Sequence, residues 1–202
     1  MRKIKKFKIP IYTYEILRKA KKRRIDLFAL GLADQESARE YISSLAAALE
    51  PSTVFDLIAP EDALAKESGL QGMTGTLGVM TLGTAFETKL KAITDPELFR
   101  LAETAALVFS ETGLKVITEL IAQEVTAEGL DLGKPNYLFA CPEPETEEPP
   151  SVRSDAAVLA ACLGRLNADK IGISLNESVL SPAYSFIFSL PWLAKKKLSA
   201  KK

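Results

Sequence analysis

The sequence contains no histidine, only two cysteines and a single tryptophan among its 202 residues. Without histidine, a Ser-His-Asp triad, a Cys-His pair and an HExxH zinc site are all excluded. Two cysteines that lie 21 positions apart cannot complete a four-cysteine zinc site. Any catalysis must therefore use carboxylates, lysine, tyrosine or a bound cofactor, which favours a binding or helper role over a stand-alone hydrolase.

Long apolar runs are also lacking. Residues 68–86 are uncharged but include five glycines and four threonines. Residues 178–194 include two prolines and are shorter than the roughly 20 apolar residues of a membrane-crossing helix. Trp192 followed by lysines at 195–197 is typical of a membrane surface, which stays an alternative. No secretory signal pattern is found at the N-terminus, so we expect a cytoplasmic protein.

Charge is segregated along the chain although the net charge is zero. Residues 1–24 hold eleven basic residues and one acid, and residues 195–202 hold five lysines and no acid. The remaining residues, 25–194, have ten basic and 25 acidic side chains, a net charge of about −15. Basic ends of this kind bind acidic proteins, nucleic acid or anionic lipid, or simply keep a chain soluble. Because the acidic body lacks a basic face with interleaved aromatics, we do not expect nucleic acid as a partner.

Periodicity predicts helices and strands in irregular alternation. The predicted helices cover residues 13–24, 34–49, 60–67, 84–92, 95–126 and 154–166. The predicted strands cover residues 53–58, 76–82, 171–175 and 184–190. Because no strand-helix period repeats, we predict one α+β domain over residues 13–194, with a mainly antiparallel sheet packed against the long central helix and several shorter helices. Residues 1–12 and 195–202 are predicted to be a basic tail and a lysine-rich tail.

Two segments are unusual in composition. Five glycines between residues 69 and 83 suggest a phosphate-binding loop, but the Lys-Ser/Thr of a Walker loop does not follow them, so we predict a turn that leads into a strand. Residues 142–150, PEPETEEPP, are too rich in proline and glutamate to pack in a core and are expected to form an exposed loop. Cys162 lies on the apolar side of the last helix, and we expect it to be buried.

Several segments, taken in order, are similar to a known family. VMTLGTAFETKLKAI, residues 79–93, precedes a long alanine-rich helix, and LNADKIGISLNESVLSP, residues 166–182, precedes an aromatic-serine strand. Upstream, a helix is followed by LEPSTVFDLI, residues 49–58. This order resembles the activation domain of cobalamin-dependent methionine synthase and its free-standing bacterial relatives over most of residues 12–190. The most similar short pieces are Thr81-Leu82-Gly83 and LNES at 175–178.

The resemblance implies a function. In that family the domain binds S-adenosylmethionine and docks on the corrinoid-carrying domain, so that oxidised cobalamin is reduced and remethylated. We therefore expect an accessory protein of corrinoid-dependent methyl transfer, with S-adenosylmethionine as its cofactor and cobalamin reached only through a partner protein. Two alternatives remain open. One is a cofactor-free docking module for a corrinoid protein, with basic ends that meet an acidic partner surface; the other is a peripheral membrane or scaffold protein.

The family's cofactor motif is altered in this chain. The motif is R-x-x-P-G-Y-G, in which the arginine pairs with the cofactor's carboxylate and the glycines let the backbone approach it. If Pro142 is the motif's proline, Phe139 occupies the position of the motif's arginine, and Ala140 and Cys141 occupy the two positions that follow it. Glutamates then replace both glycines. A phenylalanine cannot form the charge-assisted pair, and the glutamates repel a carboxylate.

A second candidate site follows from LNES. The resemblance implies that Glu177, followed by Ser178, faces the cationic end of S-adenosylmethionine. The alternative is a carboxylate at a strand end that is satisfied by a nearby backbone N–H or lysine. The predicted cofactor site therefore consists of residues 139–142 together with Glu177 and Ser178.

Overall fold

The computed structural model describes residues 1–139 and 155–195. The helices are α1 (Thr13–Lys22), α2 (Gln35–Ala46), α3 (Ala63–Glu67), α4 (Thr84–Lys91), α5 (Pro96–Ala127) and α6 (Ala156–Leu166), the last followed by a 3₁₀ helix, Ala168–Ile171. The strands are β1 (Arg2–Lys5), β2 (Ser52–Ile58), β3 (Gly75–Thr81), β4 (Leu130–Leu132), β5 (Asn136–Phe139), β6 (Ser174–Asn176), β7 (Val179–Ser181) and β8 (Ser185–Ala194). They form a single α+β domain with a curled antiparallel sheet, which confirms the predicted fold class.

The sheet is centred on β3 and β8. The strands are hydrogen-bonded in the order β1-β2-β3-β8-β4, β5 also pairs with β8, and β6 and β7 form a separate hairpin. β3 is buried along its whole length. A Cβ atom at Gly78 would overlap the ring of Phe188 on β8, so glycine at this position makes room for a large aromatic side chain in the neighbouring strand.

Helix α5 covers one face of the sheet. Its N-terminus is capped by Asp95, whose carboxylate accepts a hydrogen bond from the Leu98 N–H at 2.9 Å, and Pro96 occupies the first turn, where no N–H is needed. Buried side chains along most of α5 belong to the larger core cluster. Gly113, which weakens a helix intrinsically, lets α5 approach the sheet closely, since a Cβ atom there would overlap the end of the Met80 side chain.

The opposite face of the sheet is covered by α3, α6 and the 3₁₀ helix. Their apolar side chains form a second core cluster with residues of β2, β3 and β8. Neighbours along β3 alternate between the two clusters: Val79 belongs to the second and Met80 to the first. Cys162 on α6 is fully buried in the second cluster, which confirms that prediction.

Some strands differ from the predictions. Residues 2–5, expected to belong to a basic tail, form the edge strand β1 and pair with β2. Their sequence does not indicate a strand, because only Ile4 among the four residues is apolar. Charged residues are common on exposed edge strands. The predicted strand 171–175 starts later, because Ile171 ends the 3₁₀ helix and Gly172 adopts a φ of 77°. β4 and β5 have no predicted counterpart because they are too short to show a period.

Candidate functional site

The end of β3 and the end of β5 lie on either side of the start of β8. β3 ends at Thr81, which lies opposite Ser185, the first residue of β8. Along the other side of β8, Phe139 at the end of β5 lies opposite Ile187. We call this region, formed by the last residues of β3 and β5, the first residues of β8 and the β6–β7 hairpin that leads into β8, the motif end. It brings together three segments that are far apart in the sequence.

The turn Thr81-Leu82-Gly83 connects the motif end to α4. Gly83 adopts a φ of 98°, a conformation that favours glycine. Its N–H donates a hydrogen bond to the Thr81 hydroxyl at 3.1 Å, and the Leu82 carbonyl accepts one from the N–H of Glu50 at 2.9 Å. These two hydrogen bonds hold the turn, which sets the direction in which α4 leaves the sheet.

LNES forms the tip of the β6–β7 hairpin, which leads into β8. Glu177 and Ser178 have φ values of 48° and 73°, and Asn176 pairs with Val179, so the two residues form a tight turn of the type that joins twisted antiparallel strands. The Glu177 side chain is exposed. Within residues 1–139 and 155–195, its carboxylate has neither a hydrogen bond nor an ion pair. It is thus accessible to a ligand or a partner.

An aromatic contact joins the residue before β8 to α4. The ring of Phe86 on α4 meets that of Tyr184, just before β8, edge to face at 6.2 Å, and it meets Phe109 on α5 in the same way at 6.0 Å. The Ser185 hydroxyl donates a hydrogen bond to the Pro182 carbonyl at 2.7 Å. The sequence gives no signal for the Phe86–Tyr184 contact, because it joins residues that are distant in the chain.

Phe139 is the one predicted residue of the altered cofactor motif that the structure describes. Its side chain is 4% exposed and packs in the second core cluster. A charged side chain there would lie in apolar surroundings, so position 139 does not fit the role of a cation that pairs with the cofactor's carboxylate. Ala140, Cys141 and Pro142, the predicted exposed loop 142–150 and most of the lysine-rich tail lie outside the described residues.

Cys162, the one cysteine among the described residues, is not suited to nucleophilic chemistry. Burial raises the pKa of the Cys162 thiol to about 11, so it is protonated at neutral pH and is a poor nucleophile. In the part of the chain that the structure describes, no group of three or more acidic or cysteine side chains is close enough to hold a metal ion. The charged group that the β6–β7 hairpin offers to a ligand or a partner is the exposed carboxylate of Glu177.

Trp192, on which the membrane-surface alternative depends, is hydrogen-bonded to β3 and to the residue before it. Its indole N–H donates a hydrogen bond to the Thr76 hydroxyl at 3.0 Å, and its backbone N–H donates one to the Thr74 carbonyl at 2.9 Å. Among the described helices, none is both long enough and apolar enough to cross a membrane.

Comparison with known proteins adds nothing to this description of the motif end. No protein-family model matches the sequence, and no curated protein matches it.

Proposed function

We propose that this chain is an accessory protein of corrinoid-dependent methyl transfer and that it acts by docking on a corrinoid-carrying protein. One observation supports this most strongly. The two pieces of sequence most similar to the methionine synthase activation domain are the Thr81-Leu82-Gly83 turn, which follows β3, and LNES, the tip of the hairpin that leads into β8. The end of β3 pairs with the start of β8 through Thr81 and Ser185, so both pieces lead from the same end of the sheet.

The buried Phe139 favours a docking role without S-adenosylmethionine. A cofactor carboxylate needs a cation or several N–H donors, and position 139 provides an apolar ring inside the core. In this proposal the corrinoid and its methyl donor supply the chemistry, while the chain recognises and orients the corrinoid protein. A free, buried thiol at Cys162 suits a reducing compartment, and we propose the cytoplasm.

The exposed carboxylate of Glu177 favours a second candidate, in which the chain still binds S-adenosylmethionine. The sulfonium and ammonium groups of this cofactor are cationic, and Glu177 has no other partner within the described residues. The chain would then assist the remethylation of cobalamin and not only dock on the corrinoid protein. Glu177 has a role in both candidates, so the ligand and not the residue distinguishes them.

Calorimetric titration tests the proposal. The full chain is titrated into a corrinoid-loaded cobalamin domain of methionine synthase, and separately with S-adenosylmethionine. We expect the corrinoid protein to be bound and Glu177→Lys to weaken that binding by at least about fivefold. Glu67→Lys, the same charge change at an exposed position of α3, is the control and is expected to leave it unchanged.

The outcomes of this titration are distinct. Saturable binding of S-adenosylmethionine that Glu177→Gln weakens would establish the second candidate in place of the first. Binding of the corrinoid protein that responds equally to Glu177→Lys and Glu67→Lys would remove the motif end from the interface. Absence of any complex with the corrinoid protein would contradict both candidates.

A further inference from the structure

A groove runs along α1. It consists of two adjoining clefts of about 890 and about 710 Å³, and Tyr14 and Leu17 line both of them. The first cleft extends to Tyr12 and to Arg39 on α2, and the second extends to Leu27 in the following loop. Both clefts have a mainly apolar lining with charged groups beside it.

The wall of the groove is rigid. Ile16 and Ala20 of α1 are fully buried against the core. The Lys19 ammonium pairs with Glu111 on α5 at 2.6 Å, and Arg23 donates a hydrogen bond to the Thr104 hydroxyl at 2.8 Å. One side of α1 is thus fixed to α5, and the other side faces the groove in a set orientation, which lowers the entropic cost of binding.

Large apolar side chains beside the groove are exposed. Tyr14 is 79% exposed, Tyr12 is 54% exposed, and Phe28, next to Leu27, is 82% exposed. Neighbouring aromatic side chains this exposed are unusual on a domain surface, and tyrosine and arginine are the residues most often found at the energetic centres of protein interfaces.

The charged groups at the groove leave it positive. Arg18 pairs with Glu15 of the same helix, through a 3.0 Å bond from its Nε, and the Asp26 carboxylate accepts hydrogen bonds from the backbone of its own loop. Lys21, Arg24 and Arg39 form no ion pair with any residue in 1–139 or 155–195. These three cations, which lie beside the exposed rings, are therefore available to a negatively charged ligand.

We infer that this groove binds an acidic peptide segment of a partner protein, one that carries aromatic or aliphatic side chains between its carboxylates. Charge complementarity and the concave shape favour this occupant. An anionic membrane or a nucleic acid would present an extended negative surface to a chain body with a net charge of about −15, whereas a peptide is narrow enough to contact the groove alone. The inference goes beyond the proposed function and does not require a corrinoid partner.

Fluorescence anisotropy of the full chain tests the inference, with a labelled random copolymer of glutamate and tyrosine as the probe. We expect saturable binding at low salt that weakens at moderate salt. Lys21→Glu and Tyr14→Ser are each expected to weaken it at least about fivefold. The matched controls are Lys66→Glu on α3 and Met73→Ser before β3, which change the same properties at exposed positions outside the groove and are expected to have no effect. Polyglutamate, which lacks rings, is expected to bind more weakly than the copolymer.

Several results would overturn the inference. These are no binding of the copolymer, equal losses in the groove variants and their controls, or polyglutamate bound as tightly as the copolymer. Capture by vesicles of phosphatidylcholine and phosphatidylserine, or by oligothymidylate, that depends on Tyr14 while the copolymer is not bound would assign the groove to a lipid or a nucleic acid instead. Tyr14 and Lys21 are exposed, so both variants should fold; if Tyr14→Ser unfolds, Tyr12→Ser tests the aromatic lining of the same cleft.

Discussion

Gly83 lies directly against Glu50, so that a Cβ atom at Gly83 would be 2.9 Å from the Glu50 Cβ and 3.0 Å from its carbonyl oxygen. The two segments are also joined by the hydrogen bond from the Glu50 N–H to the Leu82 carbonyl. Glycine is required here for two independent reasons, because φ is 98° and because there is no space for a side chain. The turn therefore fixes the start of α4, and with it the position of Phe86 against Tyr184.

The substitution Gly83→Ala is expected to lower the free energy of unfolding by about 2 kcal/mol or more, since it adds strain at positive φ and a steric overlap. Gly164→Ala is the matched control. Gly164 lies within α6, and a Cβ atom there would have no neighbour within 4 Å, so this change is expected to stabilise the protein by about 0.5–1 kcal/mol. Urea denaturation followed by circular dichroism measures both. Similar effects at the two positions would contradict the role given to the turn.

Phe139→Arg is expected to destabilise the fold by about 3 kcal/mol or more, because it places an unpaired charge in the second core cluster. Phe139→Leu, which keeps the position apolar, is expected to cost only about 1 kcal/mol. Urea denaturation of the two variants gives the comparison. If Phe139→Arg is as stable as the wild type, its side chain reaches solvent at the motif end, and the case against a carboxylate ligand at this position fails.

Cys162 is expected to be unreactive in the folded protein, because its thiol is buried and its pKa is raised to about 11. In a Cys141→Ser variant Cys162 is the sole thiol, so its reaction with a chromogenic disulfide reagent can be followed without interference. At about pH 8 the folded variant should react at least about a hundredfold more slowly than the urea-unfolded one. Equal rates would show that α6 does not protect this residue.

Tyr41 makes the free energy of unfolding depend on pH in the alkaline range. Burial, and secondarily the charge of Asp95, raise the pKa of Tyr41 from 10.0 to about 12. Because the folded-state pKa is the higher one, the neutral phenol favours the folded state; this contribution is fully present below pH 10 and is lost as the pH rises toward 12. The free energy of unfolding of the wild type should therefore fall more steeply over this range than that of Tyr41→Phe. Parallel curves from urea denaturation would contradict the assignment.

The regular elements of the fold were predictable because their signals are local. The cap at Asp95 and the apolar period identify α5, and the cap at Asp34, whose carboxylate accepts a hydrogen bond from the Ser37 N–H at 2.8 Å, identifies α2. Local signals do not identify β1, because its pairing with β2 is decided by the neighbouring strand and not by its own composition. The role of Gly113 is not predictable from local sequence either, because it depends on the close contact with Met80, which is distant in the chain.

The candidate site was predictable only in part. The sequence predicts site residues at Phe139 and Glu177, but the position of the β3 and β5 ends on either side of the β8 start follows from strand register, which no local pattern specifies. The burial of Phe139 depends on which face of β5 meets α6. The α1 groove depends on which side of α1 packs against α5, so composition reveals the basic residues but not the exposed rings of Tyr12 and Tyr14 beside them.

The most direct test of the central claim is sedimentation velocity of a corrinoid-loaded methionine synthase cobalamin domain, followed by the visible absorbance of its corrinoid, with and without this chain. Only the partner absorbs in the visible range, so a complex appears as faster sedimentation of the coloured species. Docking on a corrinoid protein predicts a saturable shift that Glu177→Lys reduces and Glu67→Lys leaves unchanged. An unchanged sedimentation coefficient at every concentration of the chain would contradict the proposed function.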